Sequence, residues 1–307
     1  MKPKIQSVKG MRDFYPEQMA LRNWLYRNMR AASERYGYQE YDGPFIETLD
    51  LYAARSGEEL VKEQAFVFSD RGGDQITLRP ELTPSLARMV AARQAQLPRP
   101  IRWWSFGPFW RYERPQKGRS REFFQWNLDL LGVESPTADA EMAAVAATFF
   151  RLIGLTPNEV KIQFNNRRLM DAEIAALGLA DRKMSVLRLI DRRDKMGAEA
   201  WDGYAAELGL SPQQLDGLKT LLADRGLWRK SDECEAFMQA AEALGVSEYL
   251  EYEPTVIRGL DYYTGTVIEA RDNEGEFRAI LGGGRYDNLV GDVGGDTRLR
   301  VPGVGFA

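Results

Sequence analysis

Apolar positions recur along this chain with two periods, and the switches between them set out its organisation. Leu21, Trp24, Leu25, Met29 and Ala32 fall on one helical face, Pro16 suits a first helical position and Gly37 a C-terminal cap, so the spacing predicts a helix over 16–36. A short strand is predicted at 38–41, followed by Asp42-Gly43-Pro44 and Phe45-Ile46-Glu47. Residues 64–79 predict a hairpin turning at Arg71-Gly72-Gly73-Asp74. Pro80-Glu81-Leu82-Thr83-Pro84 then leads to a helix over 85–95, and capping is the plain use of Glu81 and Thr83 at such a junction. Strands at 101–110 and 123–131 flank a charged stretch. In the second strand Phe124, Trp126, Leu128 and Leu130 point one way and Gln125, Asn127 and Asp129 the other, which predicts one core face and one polar floor. A helix over 138–155 and a strand at 160–164 follow.

From about 165 to 251 the alternation stops. Helical patterns at 168–176, 181–194, 212–225 and 232–244, joined by Gly- and Ser-containing turns, predict a small helical module set into the chain. Strand patterning returns over 254–269, and Asp272-Asn273-Glu274-Gly275 reads as a hairpin turn leading to 278–287. Gly282-Gly283-Gly284, read as lying between an apolar strand and a helix, permit close backbone approach to a ligand or another strand. The division predicted is therefore 1–164 with 252–307 as one domain and 165–251 as an insertion.

Composition narrows the chemistry. At 307 residues with 44% hydrophobic content the chain can bury a large core. It contains no histidine, which excludes histidine bases, triads and histidine-held zinc, and its single Cys234 excludes an internal disulfide or cysteine-only metal site. No run of 18 apolar residues predicts a membrane span and no apolar segment follows the basic N-terminus, so a cytoplasmic protein is expected. With net charge −4, any nucleic-acid contact has to be local. Against that balance, Arg111, Arg114, Lys117, Arg119 and Arg121 lie within eleven residues at the tip of the predicted hairpin. Most such charge runs are solvated loops. A minority hold phosphates.

The order of residues is more specific than their composition. Arg111-Tyr112-Glu113-Arg114-Pro115-Gln116-Lys117-Gly118-Arg119-Ser120-Arg121-Glu122-Phe123-Phe124-Gln125 closely resembles the second signature motif of class II aminoacyl-tRNA synthetases, in the form used by the histidyl-tRNA synthetase family. The helix and strand running into Pro44 resemble the first motif, and Leu78-Arg79-Pro80-Glu81-Leu82-Thr83 resembles the loop that holds a substrate's α-ammonium group. Arg258-Gly259-Leu260-Asp261-Tyr262-Tyr263-Thr264-Gly265 and Gly282-Gly283-Gly284-Arg285-Tyr286-Asp287 resemble the family's two histidine-specific motifs. Residues 189–195 resemble a stretch of its insertion domain, which embraces the tRNA acceptor stem.

That resemblance implies an α+β, class II synthetase catalytic fold: an antiparallel sheet flanked by helices, with a helical insertion subdomain. It implies activation of L-histidine with ATP and Mg2+ to histidyl-adenylate, then transfer to tRNA(His), by a homodimer. It assigns Arg111, Glu113 and Arg119 to ATP, and Arg258, Arg111 and Gln125 to the reacting groups. Glu81, Thr83, Gln125, Asp129, Arg258, Tyr262, Tyr263 and Tyr286 are assigned to histidine. Two anions must meet in such a step, so cations around the phosphate matter more than a base. Val301-Pro302-Gly303-Val304-Gly305-Phe306-Ala307 resembles the beginning of the third class II motif, whose arginine is not within these 307 residues. Nor is an anticodon-binding domain, so a catalytic core of reduced activity is expected. The alternative is the non-catalytic paralogue that regulates ATP phosphoribosyltransferase, against which the intact arginine loop stands.

Overall fold

A computed structural model describes residues 5–53, 63–116, 119–257 and 263–307. The chain forms two compact units, one of residues 1–132, 288–302 and 307, the other of 133–287 and 303–306.

In the first unit, helix α1 (Pro16–Arg35) starts on Pro16, with Gln18 Oε1 accepting the Tyr15 N–H at 2.7 Å. It stops at Gly37, whose φ of +78° suits a residue without Cβ. Strand β1 (Gln39–Glu40) follows. Strands β2 (Ile46–Thr48), β3 (Phe66–Ser69) and β4 (Gln75–Leu78) form a small antiparallel sheet in the order β2-β4-β3, with the short helix α2 (Leu49–Ala53) after β2. The β3–β4 turn forms where the pattern predicted. Asp70 Oδ1 accepts from the backbones of Gly72 and Asp74, and Gly73 takes the left-handed conformation. Helix α3 runs from Thr83 to Ala92, two residues earlier than expected, so Thr83 lies in its first turn. Strands β5 (Ile101–Trp110) and β6 (Glu122–Leu131) pair antiparallel along ten residues, and β1 joins β5 in parallel.

Helix α1 covers one face of this hairpin. Tyr26 meets Trp104 and Phe106, Phe14 meets Phe124, and Trp126 Nε1 donates to Ser33 Oγ at 3.1 Å. Leu21 and Trp24 of the same helix stay exposed, at 60% and 39%. The polar floor is not open along its length: Asn127 and Asp129 are buried like the core residues beside them.

The second unit holds α4 (Pro136–Leu152), β7 (Val160–Asn166), then α5 (Arg167–Ala176), α6 (Lys183–Asp191), α7 (Ala198–Glu207), α8 (Pro212–Ala223) and α9 (Asp232–Ala243). Strands β8 (Leu250–Tyr252), β9 (Thr266–Asp272), β10 (Leu281–Tyr286) and β11 (Gly303–Phe306) complete it. Their order is β11-β10-β9-β7-β8, antiparallel except for β7 with β8. The sheets are thus mixed, with parallel pairs β1–β5 and β7–β8; in both cases a long intervening segment allows the crossover that parallel strands need.

Four details depart from the sequence pattern. Helix α7 was not predicted; its weak periodicity hides the one anchor that matters, Trp201, whose buried indole donates to Leu189 O at 2.8 Å. The helix expected at 181–194 is a 3-10 turn, α6 and a second 3-10 turn. Strand structure resumes earlier than Pro254, in β8, and of the described residues in 254–269 the strand holds those from Thr266 on. The triple glycine sits inside β10, where a Cβ on Gly283 would lie 2.0 Å from Gly305 O of β11 and one on Gly284 2.8 Å from Thr266 O. The close approach is to neighbouring strands.

Two glycine substitutions should therefore have opposite effects. Gly283→Ala should cost at least about 3 kcal/mol, because the obstructing atoms are backbone. Gly203→Ala, in α7 with nothing within 4 Å of its Cβ, should gain roughly 0.5–1 kcal/mol. Urea unfolding of both variants checks the pair.

Candidate active site

Period two and pairing register together place the candidate residues. Across the hairpin Gln125 faces Gly107, Asn127 faces Ser105 and Asp129 faces Trp103, all on the side away from α1. Gly107 and Ser105 are small, which leaves room over β5 for a side chain from another element. Arg79 lies over it: its guanidinium is fully buried, stacked 4.5 Å from the rings of Phe45 and Phe109, and a Cβ on Gly107 would come within 2.5 Å of Nη2. Its Nε donates to Pro108 O at 3.1 Å, and its Nη1 donates to Gly43 O at 3.0 Å and Asp42 Oδ1 at 2.5 Å. One arginine thus ties the end of β4 to β5 and to the turn after β1.

The junction after β4 is placed by a second arginine. Arg111 Nε donates to Pro80 O at 3.0 Å while its guanidinium lies 5.2 Å from the Phe123 ring. Glu81 and Thr83, just beyond Pro80, are half-buried at the start of α3. At the hairpin tip Gln116 and Arg119 form a backbone bridge, and Arg119 Nη1 lies 2.6 Å from Glu113 Oε2, an ion pair whose geometry is not that of an aligned hydrogen bond. Arg111, Glu113 and Arg119 are thereby grouped on one loop. Lys117 and Gly118 lie outside the described residues, as do Arg258 and Tyr262.

Four polar atoms on and beside this face are enclosed and make no hydrogen bond to protein: Tyr41 Oη, Arg79 Nη2, Gln125 Oε1 and Asn127 Nδ2. Leaving such groups unpaired costs about 1–3 kcal/mol each, so this face carries hydrogen-bonding capacity that an ordinary core would not leave unmet. Burial, with the carboxylates of Asp129 and Asp42 nearby, raises the Tyr41 phenol well above its ordinary range, which keeps it a donor. Tyr41, Arg79 and Asn127 were given no role from sequence. Asn127 shares the period-two face of Gln125 and Asp129 and was legible in principle; Tyr41 comes close through its backbone pairing with Trp104, and Arg79 through side-chain bonds from outside that sheet.

In the second unit Tyr263 packs against Gly284, where a Cβ would lie 3.1 Å from its ring, and Tyr286 is 2% exposed with its ring over Gly303. Arg285 and Asp139 form a buried pair, Nε to Oδ1 at 2.9 Å and Nη2 to Oδ1 at 2.5 Å. Burial pushes the Asp139 carboxyl up to about 6 against the pull of that cation. Cys234 is also buried and its thiol is pushed up to about 11, so it is an inert packing residue. Among the described residues no group of three or more Asp, Glu or Cys could hold a metal ion.

Helices packed on largely antiparallel strands, with an arginine hairpin beside a polar floor, define a class II aminoacyl-tRNA synthetase catalytic fold. A histidyl-tRNA synthetase from Nostoc has the same fold, with a TM-score of 0.86 at 24% identity over 99% of this chain and 73% of that one. So does a Bacillus halodurans protein described as an ATP phosphoribosyltransferase regulatory subunit/histidyl-tRNA synthetase, with a TM-score of 0.83 at 22% identity over 100% and 81%. The family description "Histidyl-tRNA synthetase" matches residues 10–307. A histidine–tRNA ligase of Haloarcula marismortui is 40% identical over 316 residues, 98% of this chain and 72% of that relative. The chain belongs to the histidyl-tRNA synthetase family.

The buried arginine gives a direct test of the site's frame. Arg79→Lys keeps the charge but cannot reach Pro108 O, Gly43 O and Asp42 together, and should lose about 2–3 kcal/mol in urea unfolding. An unchanged midpoint would show that the guanidinium does not hold these segments.

Proposed function

We propose that the chain is a ligase that activates L-histidine with ATP and passes it to tRNA(His). The observation that carries this reading is the polar floor Gln125-Asn127-Asp129, with its enclosed unpaired atoms, on the strand that continues from the arginine hairpin. In the first step the amino acid's carboxylate attacks the α-phosphorus and pyrophosphate leaves. Arg111 meets the α-phosphate, Arg119 and Glu113 seat the nucleotide, and Arg258 is assigned to the reacting groups by the family's motif alone. Fixed cations are suited to this because charge gathers on phosphate oxygens in the transition state.

Glu81 and Thr83 accept from the α-ammonium group, with Gln125 Oε1 as a third acceptor. By the family's motifs Asp129 is assigned to the ring N–H, and Tyr262, Tyr263 and Tyr286 are assigned to histidine recognition. Isosteric apolar side chains are rejected because they would leave these groups unpaired. Mg2+ would be held largely through the phosphates of ATP.

The helical segment 165–251 serves as an inserted module toward tRNA, and the protein works in the cytoplasm. No helix among the described residues is long and apolar enough to cross a membrane. The exposed Leu21 and Trp24 of α1 support a homodimer with an isologous contact through that helix. A purely regulatory role, suggested by the Bacillus halodurans neighbour, leaves the grouped Arg111, Glu113 and Arg119 without a task.

Histidine-dependent pyrophosphate exchange tests the activity: exchange with L-histidine and none with other amino acids is the expected outcome, and histidine binding without exchange would favour the regulatory role. Asp129→Asn should weaken histidine binding by roughly 1.5–3 kcal/mol in calorimetry, the range for a hydrogen bond to a charged group. Equal affinities would remove Asp129 from the pocket. Light scattering at micromolar concentration should find a dimer that Trp24→Glu weakens.

A further inference from the structure

The segment carrying Tyr263 is held by a buried carboxylate that several donors share. Asp287, 3% exposed, accepts at Oδ2 from Thr264 Oγ1 at 2.9 Å and from Arg168 Nη2 at 3.1 Å, and at Oδ1 from Arg285 Nη1 at 3.2 Å. Its own N–H reaches Thr264 Oγ1 at 3.3 Å, and the Thr264 N–H donates to Arg285 O at 2.7 Å. Arg285 is anchored in turn by Asp139 of α4 and by Val133 O at 3.1 Å and Ser135 O at 3.2 Å. Thr264 is thus bonded on both its backbone and side chain, one residue from Tyr263.

The cluster also reaches the helices. Arg168, in the first turn of α5, is half-exposed, and its Nη1 lies 3.3 Å from Glu233 Oε1 of α9. Next to it, the Arg167 N–H donates to Gly265 O at 2.9 Å, so α5 grips the same segment by backbone and side chain. Asp139 and Asp287 both lean on Arg285, and Arg168 supplies the second cation. Without it Asp287 keeps Arg285 and Thr264 but loses the bond that ties it to α5, and the hold on Thr264 loosens.

We propose that Asp287 and Arg168 are positioning residues for amino-acid recognition, fixing the backbone at Thr264 and through it the Tyr263 side chain, and tying that geometry to α5 and α9. The inference rests on Tyr263 being a histidine-recognising residue. Neither Asp287 nor Arg168 touches the amino acid; both act through Tyr263. An event that pulls on Arg168 from the helical side would therefore be felt as a change in histidine affinity.

The test compares the 307-residue chain with its Arg168→Gln, Arg168→Lys and Asp287→Asn variants. Each is assayed for KM of L-histidine and of ATP by pyrophosphate exchange, for L-histidine binding by calorimetry, and for thermal midpoint. Arg168→Gln and Asp287→Asn should raise the histidine KM about tenfold with little change in the ATP KM. Arg168→Lys should restore most of the affinity. Because Arg168 reaches solvent and Asp287 keeps Arg285 and Thr264, Arg168→Gln should fold with a nearly unchanged midpoint. A wild-type histidine KM in Arg168→Gln and Asp287→Asn overturns the proposal. So does a loss of histidine and ATP binding in step with a fallen midpoint, which is what a merely structural role predicts. If the unsubstituted chain binds no histidine, the reading of the pocket itself fails and this inference falls with it.

Discussion

The ten-residue ladder between β5 and β6 is the constraint on which the first unit depends. Its pairing forces every second residue to the same side, so one register sets the apolar contacts to α1 and the polar floor together. A slip by one residue would put Phe124 and Trp126 where Gln125 and Asn127 now stand, and α1 would lose its partners. Arg111 and Arg121 continue the pairing past the end of the ladder, the Arg111 N–H donating to Arg121 O at 2.9 Å. Stability and site geometry are specified by the same hydrogen bonds.

Buried arginines repeat the theme at a finer scale. Arg79 and Arg285 are both almost wholly out of water, and each bonds a carboxylate and at least two carbonyl oxygens. Such groups are costly to bury, and apolar replacements of similar size are often no less stable. What a planar fork supplies is direction: three segments must arrive at fixed angles to satisfy it. Arg79 fixes the approach to Glu81 and Thr83, and Arg285 fixes the strand end beside Tyr263. In each case a polar centre specifies the local geometry of a loop that ends in a candidate ligand-facing residue.

The two readings of the family, catalytic and regulatory, share a fold, so architecture does not separate them. They differ in what the arginine hairpin must do. A regulator that senses histidine needs the polar floor and the tyrosines, whereas adenylation also needs cations gathered where phosphate charge develops. The ion pair between Arg119 and Glu113 groups a cation with a carboxylate at the tip, and the Arg111 bond to Pro80 ties the hairpin to the junction that carries Glu81 and Thr83. That economy of connection is expected where two substrates must be aligned against each other.

Local sequence determined those elements whose signals lie within a few residues. The proline and glycine bounding α1, the Asp70–Asp74 turn, and the strands β5 and β6 are examples, because capping, turn chemistry and period two act at short range. Motif order carried the family, and with it the set of candidate residues. Tertiary structure decided the rest. Helix α7 forms because Trp201 finds Leu189 O across the module, and the triple glycine lies within a strand because β11 and β9 press on both its sides. Tyr41 joins the polar floor through its backbone pairing with Trp104, and Arg79 through side-chain bonds from outside that sheet. The Asp139–Arg285–Asp287–Arg168 cluster joins residues far apart in the chain, and neither propensity nor periodicity encodes such pairs. Their energy depends on burial and on partners that exist only once the chain has closed around them.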